Sequence, residues 1–185
     1  DWAALSPESI TIFDKNNKPV ERPIQNIQIS TSATAKGTYD HFMLKEIYEQ
    51  PQAVEATLKA YLKEGSVDLP SLPWDSISRM TISACGTAYY AGLIAKYWFE
   101  KFARLPVEID VASEFRYRTP PLPEKGLSLF ISQSGETADT FSALEYTKSQ
   151  HQTIVSIVNV GESSIARQSD AVLLTRAGPE LGVAS

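Results

Sequence analysis

Residues 127–144 read "LSLFISQSGETADTFSAL" and show most clearly which fold the chain adopts. Its first part, 127–132, is an apolar run typical of a strand that is covered on both faces. A small polar cluster, 132–137, follows it, and the segment from residue 137 onward has helical spacing. A buried strand, a hydroxyl-rich turn and a helix in this order predict one unit of a parallel α/β sheet.

The same order of strand, turn and helix repeats from residue 79 onward. Predicted strands cover 79–84, 106–111, 127–132, 153–159 and 171–175, and predicted helices cover 85–103, 137–150 and 162–168. The stretch "ASEFRYRTPPLPEKG", 112–126, is rich in proline and is predicted to be irregular. We therefore expect an α/β fold of three layers, in which a doubly wound parallel sheet of five strands, flavodoxin-like in order, lies between helices.

The residues before 79 have a different character. Residues 9–30 hold two β-leaning runs around a turn cluster, 14–19, and predict an N-terminal hairpin. Small polar residues make 30–41 a predicted linker. Residues 41–65 have helical spacing, and Pro51 is expected to break them into two lead-in helices.

These differences place a domain boundary after residue 38. Residues 1–38 are predicted to be the end of a preceding domain with its linker, and 39–185 to be the α/β domain. Because the chain begins at Asp1 and stops directly after "ELGVAS", we expect it to be a piece of a longer protein.

Composition narrows the class of function. Hydrophobic residues are 43% and charged residues 21% of the chain, which is typical of a folded soluble domain. A net charge of −5 disfavours broad binding of nucleic acid, which needs a basic face. Cys85 is the single cysteine, so an internal disulfide is excluded and a reducing cytoplasm fits. No apolar stretch is long enough to predict a membrane span, and no signal peptide is visible.

Two turns on one predicted sheet edge could hold an anion. "ACGTA", 84–88, and "SQSGET", 132–137, each follow a strand and open a helix. If the strand order is 2-1-3-4-5, the two turns face each other at the point where the order reverses. Helix starts attract anions, hydroxyl groups donate hydrogen bonds, and glycine permits close backbone approach. The chain has neither a dinucleotide fingerprint nor a P-loop, so a compact phosphate such as a phosphosugar fits better.

Simpler interpretations of the same residues stay open. Ser134 could merely cap the following helix, with Glu136 complementing the helix dipole, and Glu136 would repel a nearby phosphate. Cys85 precedes a helix, where a thiol can become reactive, but His41 and His151 are far along the chain and a structural role is favoured. No spacing of His, Cys and carboxylates predicts a metal site.

The stretch "EFRYR" also has two interpretations. Its charged residues, Glu114, Arg116 and Arg118, could orient a phosphate pocket. An ordinary network of salt bridges explains them equally simply and is the favoured interpretation.

Four motifs in one order resemble a known family. "SACGTAYYAG", "ASEFRYR", "SQSGETADT" and "ELGVAS" together are similar to the first sugar isomerase (SIS) domain of the glucosamine-6-phosphate synthases. "KGTYDHFMLKEIYEQP" resembles the lead-in helix of the same family, and "ITIFD" resembles the end of its glutaminase domain. The resemblance implies a cytoplasmic enzyme that forms glucosamine 6-phosphate from fructose 6-phosphate and glutamine, without a cofactor or metal, as a homodimer or larger homo-oligomer.

The resemblance also implies a set of substrate-binding residues. Those expected to hold the phosphate are Ser132, Gln133, Ser134 and Thr137. Those expected to line the sugar are Cys85, Gly86, Thr87, Ala88, Val183 and Ala184. The family commonly has serine where this chain has Ala88, so a side-chain contact is lost there and the backbone N–H must suffice.

The catalytic groups of the family lie outside this chain. Its cysteine nucleophile precedes Asp1, and its isomerase glutamate, lysines and ring-opening histidine follow Ser185, the histidine coming from a neighbouring subunit. We therefore expect no catalytic residue here and no catalysis by this chain alone. Two other functions stay open: a phosphosugar-sensing SIS module without catalysis, which should carry a basic DNA-binding segment upstream, and a purely structural α/β domain.

Overall fold

The computed structural model describes residues 1–24 and 35–182, and the chain divides into two compact units, Asp1–Ala33 and Thr34–Ser185. In the first unit, β1 (Trp2–Leu5) pairs antiparallel with β2 (Ile10–Phe13), and the rings of Trp2 and Phe13 stack at 4.2 Å. The predicted turn at 14–19 is present, closed by a bridge between Phe13 and Pro19. Residues 25–30 of the predicted second run lie outside the described residues.

The second unit begins with a long helix and continues as alternating strands and helices. The long helix is α1 (Phe42–Tyr61), and a short hairpin of β3 (Leu62–Lys63) and β4 (Ser66–Val67) follows it. The remaining elements are β5 (Arg79–Ala84), α2 (Gly86–Trp98), β6 (Val107–Val111), α3 (Ala112–Arg118), β7 (Gly126–Ser132), α4 (Ala138–Ser149), β8 (Thr153–Val158), α5 (Ser164–Gln168) and β9 (Ala171–Leu174). A 3₁₀ turn, Trp74–Ser76, precedes β5 and a π turn, Phe99–Ala103, continues α2.

The five long strands of the second unit form one parallel sheet in the order β6-β5-β7-β8-β9. Counted from β5, this order is the expected 2-1-3-4-5. The predicted fold class is therefore confirmed. In the register of β5 with β7, Ala84 pairs with Ile131, so Cys85 and Ser132 leave the sheet side by side at the point where the order reverses.

Each face of the sheet has its own buried core, because alternate side chains of a strand point to opposite faces. Phe130 of β7 packs with Phe115 of α3 and Leu144 of α4. Its neighbour Leu129 belongs to the other core, with Ile82 of β5 and residues of α2 and the π turn. Burying each such side chain contributes about 1.5–3 kcal/mol, so helices on both faces hold the sheet in the middle of three layers.

Two details of the prediction were wrong. α1 is one helix through Pro51, because Pro51 and Ile47 are both exposed and water can satisfy the Ile47 carbonyl that proline leaves without a helix partner. Residues 112–118 of the predicted irregular stretch form α3, because the prolines that stop a helix begin only at residue 120.

Polar groups of α1 tie this helix to the end of the edge strand β9. The Tyr61 hydroxyl donates to Leu174 O at 3.0 Å and accepts from Leu174 N at 2.5 Å. Thr57 Oγ1 accepts from Arg176 N at 2.9 Å. Across the described ranges, no helix combines the length and the apolar character that crossing a bilayer requires.

Candidate functional site

The loop between β7 and α4, residues 132–137, is folded tightly upon itself by its own hydroxyl groups. Ser132 Oγ accepts from the Gly135 N–H at 3.0 Å and lies 3.0 Å from Thr137 Oγ1. Ser134 Oγ accepts from the Glu136 N–H at 3.2 Å. These bonds bring three of the predicted phosphate ligands, Ser132, Ser134 and Thr137, into one short turn.

Glycine is required in this loop for two reasons. Gly135 has φ = +66°, a conformation that residues with a side chain rarely adopt. A Cβ at this position would also lie 2.0 Å from Ser163 Oγ and 2.5 Å from Ser163 Cβ. The loop can therefore pass directly over Ser163 only because residue 135 has no side chain.

Neither of the two helices that these turns open is capped by a side chain. The N-cap residue of α4 is Thr137 and that of α2 is Cys85, and neither makes a side-chain hydrogen bond to its own helix. Ser134 bonds to Glu136 instead, so the interpretation that Ser134 caps α4 is wrong. The first N–H groups of both helices are left for a ligand or water, which is the arrangement that favours an anion.

The carboxylate of Glu136 is hydrogen-bonded to the start of a third helix, α5. Its Oε1 accepts from the Ser164 N–H at 2.7 Å, at the start of α5, where Ser163 Oγ also accepts from the Ala166 N–H at 3.4 Å. A carboxylate is stabilised by the positive end of a helix. The negative charge of Glu136 is therefore held at α5, which reduces the objection that it repels a phosphate in the loop.

A cleft of about 510 Å³ opens between the strand ends and α1, which is within the range of small-ligand sites. Four predicted residues lie in its wall together, Thr87, Ala88, Ser132 and Gln133. The opposite wall is formed by one face of α1, with Ala53, Val54, Thr57 and Leu58. The structure thus brings part of each turn to one shared cavity, whereas the predicted phosphate ligands Ser134 and Thr137 are not among the residues that line it.

The other predicted residues take several positions. Cys85 is half-buried, and its sulfur accepts from Thr140 Oγ1 at 3.9 Å. Gly86 is exposed with φ = +55°. Val183 and Ala184 lie outside the described residues.

The arginines of "EFRYR" are paired with carboxylates. Arg116 Nη1 donates to Asp139 Oδ1 at 2.8 Å, and Arg118 Nε donates to Asp110 Oδ2 at 3.1 Å. The favoured salt-bridge interpretation therefore agrees with the structure. Asp139 lies in the first turn of α4, so the Arg116 pair stands next to the start of the loop helix.

Sequence reasoning singled out only the end of the segment that follows β9, the motif "ELGVAS" from residue 180 onward. Residues 177–180 border a second cavity of about 290 Å³ together with Gln133 and the first half of α1. In this segment, burial and the nearby Glu46 carboxylate raise the pKa of Glu180 above its ordinary value. No local motif marks residues 177–179, because their contacts are made to elements far away in the chain.

Comparisons with known proteins identify the family of this chain and several relatives. The family model described as "SIS domain" matches residues 75–185. Glutamine–fructose-6-phosphate aminotransferases (isomerizing) from Brucella abortus and Bradyrhizobium diazoefficiens are 53% and 56% identical to the whole chain, which covers 31% of each. The solved C-terminal domain of glucosamine-fructose-6-phosphate aminotransferase from Francisella tularensis matches with a TM-score of 0.73 and 46% identity, over 82% of this chain and 44% of that one.

The chain therefore spans about a third of the length of the curated relatives it matches, 31% in each case. The match extends over every residue of this chain. The resemblance seen in the sequence is confirmed by these relatives.

Proposed function

This chain belongs to the SIS domain family, and from that premise we propose that its cleft binds a hexose 6-phosphate. The protein that contains it would make glucosamine 6-phosphate from fructose 6-phosphate and glutamine, the first as sugar acceptor and the second as ammonia donor. The observation that carries the proposal is the shared cleft. Two turns that combine glycine with hydroxyl groups, each opening a helix without a side-chain cap, meet there at adjacent strand ends, and each contributes two residues to the lining.

In this proposal the loop 132–137 holds the phosphate. Hydroxyl groups of Ser132, Ser134 and Thr137, the side chain of Gln133 and the first N–H groups of α4 would donate to its oxygens. Hydrogen bonds to a charged group contribute about 1.5–3 kcal/mol each, so three of them suffice for millimolar affinity or better.

The second turn, 85–88, would line the sugar. Cys85, Gly86 and Thr87 would contact it, and the Ala88 N–H would replace the hydroxyl that relatives of the family commonly place there. Val183 and Ala184 would close another side. The exposed backbone at Gly86 supports this role, since a positive φ without a side chain permits close approach.

The names of the relatives favour the enzyme over a sensing module, because the matched full-length proteins are aminotransferases. We further propose that residues 1–38 are the end of a glutaminase domain with its linker and that 39–185 belong to the first SIS domain. The complete protein would act in the cytoplasm as a homodimer or larger assembly, and the chain alone would bind substrate weakly at most and would not convert it.

Calorimetric titration of the chain with glucosamine 6-phosphate tests the proposal. Ser134→Ala should weaken binding by about 1.5–3 kcal/mol, because a hydroxyl donor to the phosphate is lost. Ser149→Ala is the matched control, since this hydroxyl donates to Tyr146 O at 2.6 Å at the far end of α4. Unchanged affinity in Ser134→Ala refutes the phosphate assignment.

A further inference from the structure

The segment after β9, residues 175–182, runs along the cleft without regular structure. Ala177 borders the large cleft in company with Gln133, and residues 177–180 border the smaller cavity beside it, again with Gln133. We call residues 175–182 the wall segment. An irregular segment keeps one conformation only where other groups hold it, so its anchors decide the shape of the cleft.

Asn159 is the first anchor and joins the wall segment to the loop that follows β7. Its Oδ1 accepts from Thr175 Oγ1 and from the Ala177 N–H, both at 3.1 Å, and its Nδ2 donates to Gly178 O at 2.6 Å. Its own backbone N–H donates to Gln133 O at 3.0 Å. One orientation of the amide satisfies all three side-chain bonds, so aspartate or leucine could not replace it fully.

Glu46 of α1 is the second anchor and holds the other end of the wall segment. Its Oε1 accepts from the Leu181 N–H at 2.7 Å and from the Gly182 N–H at 2.9 Å. A Cβ on Gly182 would lie 2.6 Å from Glu46 Oε2 and 2.9 Å from Met43 N. Charge-assisted bonds to two successive N–H groups fix the segment firmly against α1.

We propose that Asn159 and Glu46 are positioning residues that hold the wall segment in place for the sugar, while the loop 132–137 alone binds the phosphate. This inference rests on the proposed function. Ala177 of the wall segment borders the same cleft as Thr87 and Ala88, which belong to the turn proposed to line the sugar. Releasing either anchor loosens the part of the segment that it holds, although Thr57 Oγ1 still accepts from the Arg176 N–H, so affinity for the sugar part falls while affinity for the phosphate part stays.

Titration with two different ligands distinguishes an effect on sugar binding from an effect on phosphate binding. Ligand-observed NMR titrations of the 185-residue chain with glucosamine 6-phosphate and with inorganic phosphate give a dissociation constant for each. Asn159→Ala and Glu46→Ala should raise the constant for glucosamine 6-phosphate roughly three- to tenfold, and that for inorganic phosphate less than about twofold. Glu46→Gln should recover most of the affinity, since its amide oxygen accepts the same N–H groups.

Glu55→Ala is the matched control, because Glu55 is an exposed carboxylate on the same helix that pairs with Lys59. Amide hydrogen exchange provides a second measurement that needs no ligand. The N–H groups of Ala177 and Leu181 should exchange faster in Asn159→Ala and Glu46→Ala respectively, and at the original rate in Glu55→Ala.

Each outcome has one meaning. Equal weakening of both ligands, or no weakening of glucosamine 6-phosphate, overturns the positioning role. Unchanged exchange at Ala177 and Leu181 shows that the two side chains do not hold the segment, and also overturns it. If the unmodified chain binds neither ligand, the proposed function fails, and the exchange rates still show whether the anchors hold the wall segment.

Discussion

The carboxylate of Glu136 accepts a hydrogen bond of 2.7 Å from the backbone N–H of Ser164. Glu136, two positions before the first residue of α4, is thereby bound to the start of α5, 28 residues further along the chain. Its charge compensates α5, yet Glu136 belongs to the loop 132–137 that is proposed to hold the phosphate. This arrangement makes the contribution of Glu136 to affinity measurable separately from its contribution to folding.

Glu136→Gln should strengthen binding of sugar phosphate modestly, by up to about 1 kcal/mol, because it removes a like charge while its amide oxygen still accepts from Ser164. The effect should shrink as salt is added. Calorimetric titrations at two ionic strengths measure both changes. Glu145→Gln, a similarly exposed carboxylate further along α4, should have little effect, and equal gains in both variants would contradict the local explanation.

Gly135→Ala should destabilise the fold by about 1–3 kcal/mol and reduce phosphate binding, because strain at positive φ adds to a clash with Ser163. Gly178→Ala separates the two causes, since Gly178 has φ = +75° and nothing within 4 Å of an added Cβ. Urea unfolding measures the free energies. Equal losses in the two variants would mean that the contact with Ser163 contributes nothing.

Arg116→Ala should weaken phosphate binding by less than about 1 kcal/mol, because the partly exposed Asp139 beside the loop helix loses its partner. Adding Asp139→Asn in the same chain should restore the affinity, since the unpaired charge is then gone. Calorimetry on the single and double variants decides the question. A loss that persists in the double variant would show that Arg116 itself contacts the phosphate.

The pKa of Glu180 should fall towards its ordinary value in Glu46→Gln, because one of its two causes, the like charge of Glu46, is removed. A carboxyl group whose pKa is higher in the folded state than in the unfolded state stabilises the fold. This stabilisation is complete at pH values below the unfolded-state pKa and is lost as the pH rises through the folded-state pKa. The effect on stability is small because Glu180 is exposed. Carboxyl ¹³C NMR titration measures the pKa, with Glu55→Gln as control; an unchanged value contradicts the pairing.

The sheet could be predicted from the sequence because its strands are local apolar runs. The predicted strand 127–132 is observed as Gly126–Ser132, and the predicted strand 79–84 as Arg79–Ala84. α3 was not predicted, because the prolines after residue 119 made the whole stretch look irregular. The residues before these prolines are nevertheless compatible with a helix. Pro51 was given too much weight, because an exposed proline costs a helix less when water satisfies the freed carbonyl.

The two turns of the site could also be predicted, because strand, glycine, hydroxyl groups and helix follow one another in the chain. The two anchors of the wall segment, Asn159 and Glu46, could not be predicted from the sequence. Asn159 and Thr175 are separated by 16 residues and Glu46 and Gly182 by 136. An asparagine after a strand and a glutamate on a helix are both ordinary in sequence, so nothing local distinguishes them.

The order of neighbouring residues is enough to specify the parallel sheet, the two turns that combine glycine with hydroxyl groups, and the family. The tertiary structure alone decided that Glu136 bonds to α5, that Ser134 does not cap α4, and that Asn159 and Glu46 hold the wall segment. These are choices between hydrogen-bond partners of similar strength. The packing of the helices on the sheet decides which partner lies within hydrogen-bonding distance. No single stretch of the sequence specifies that packing.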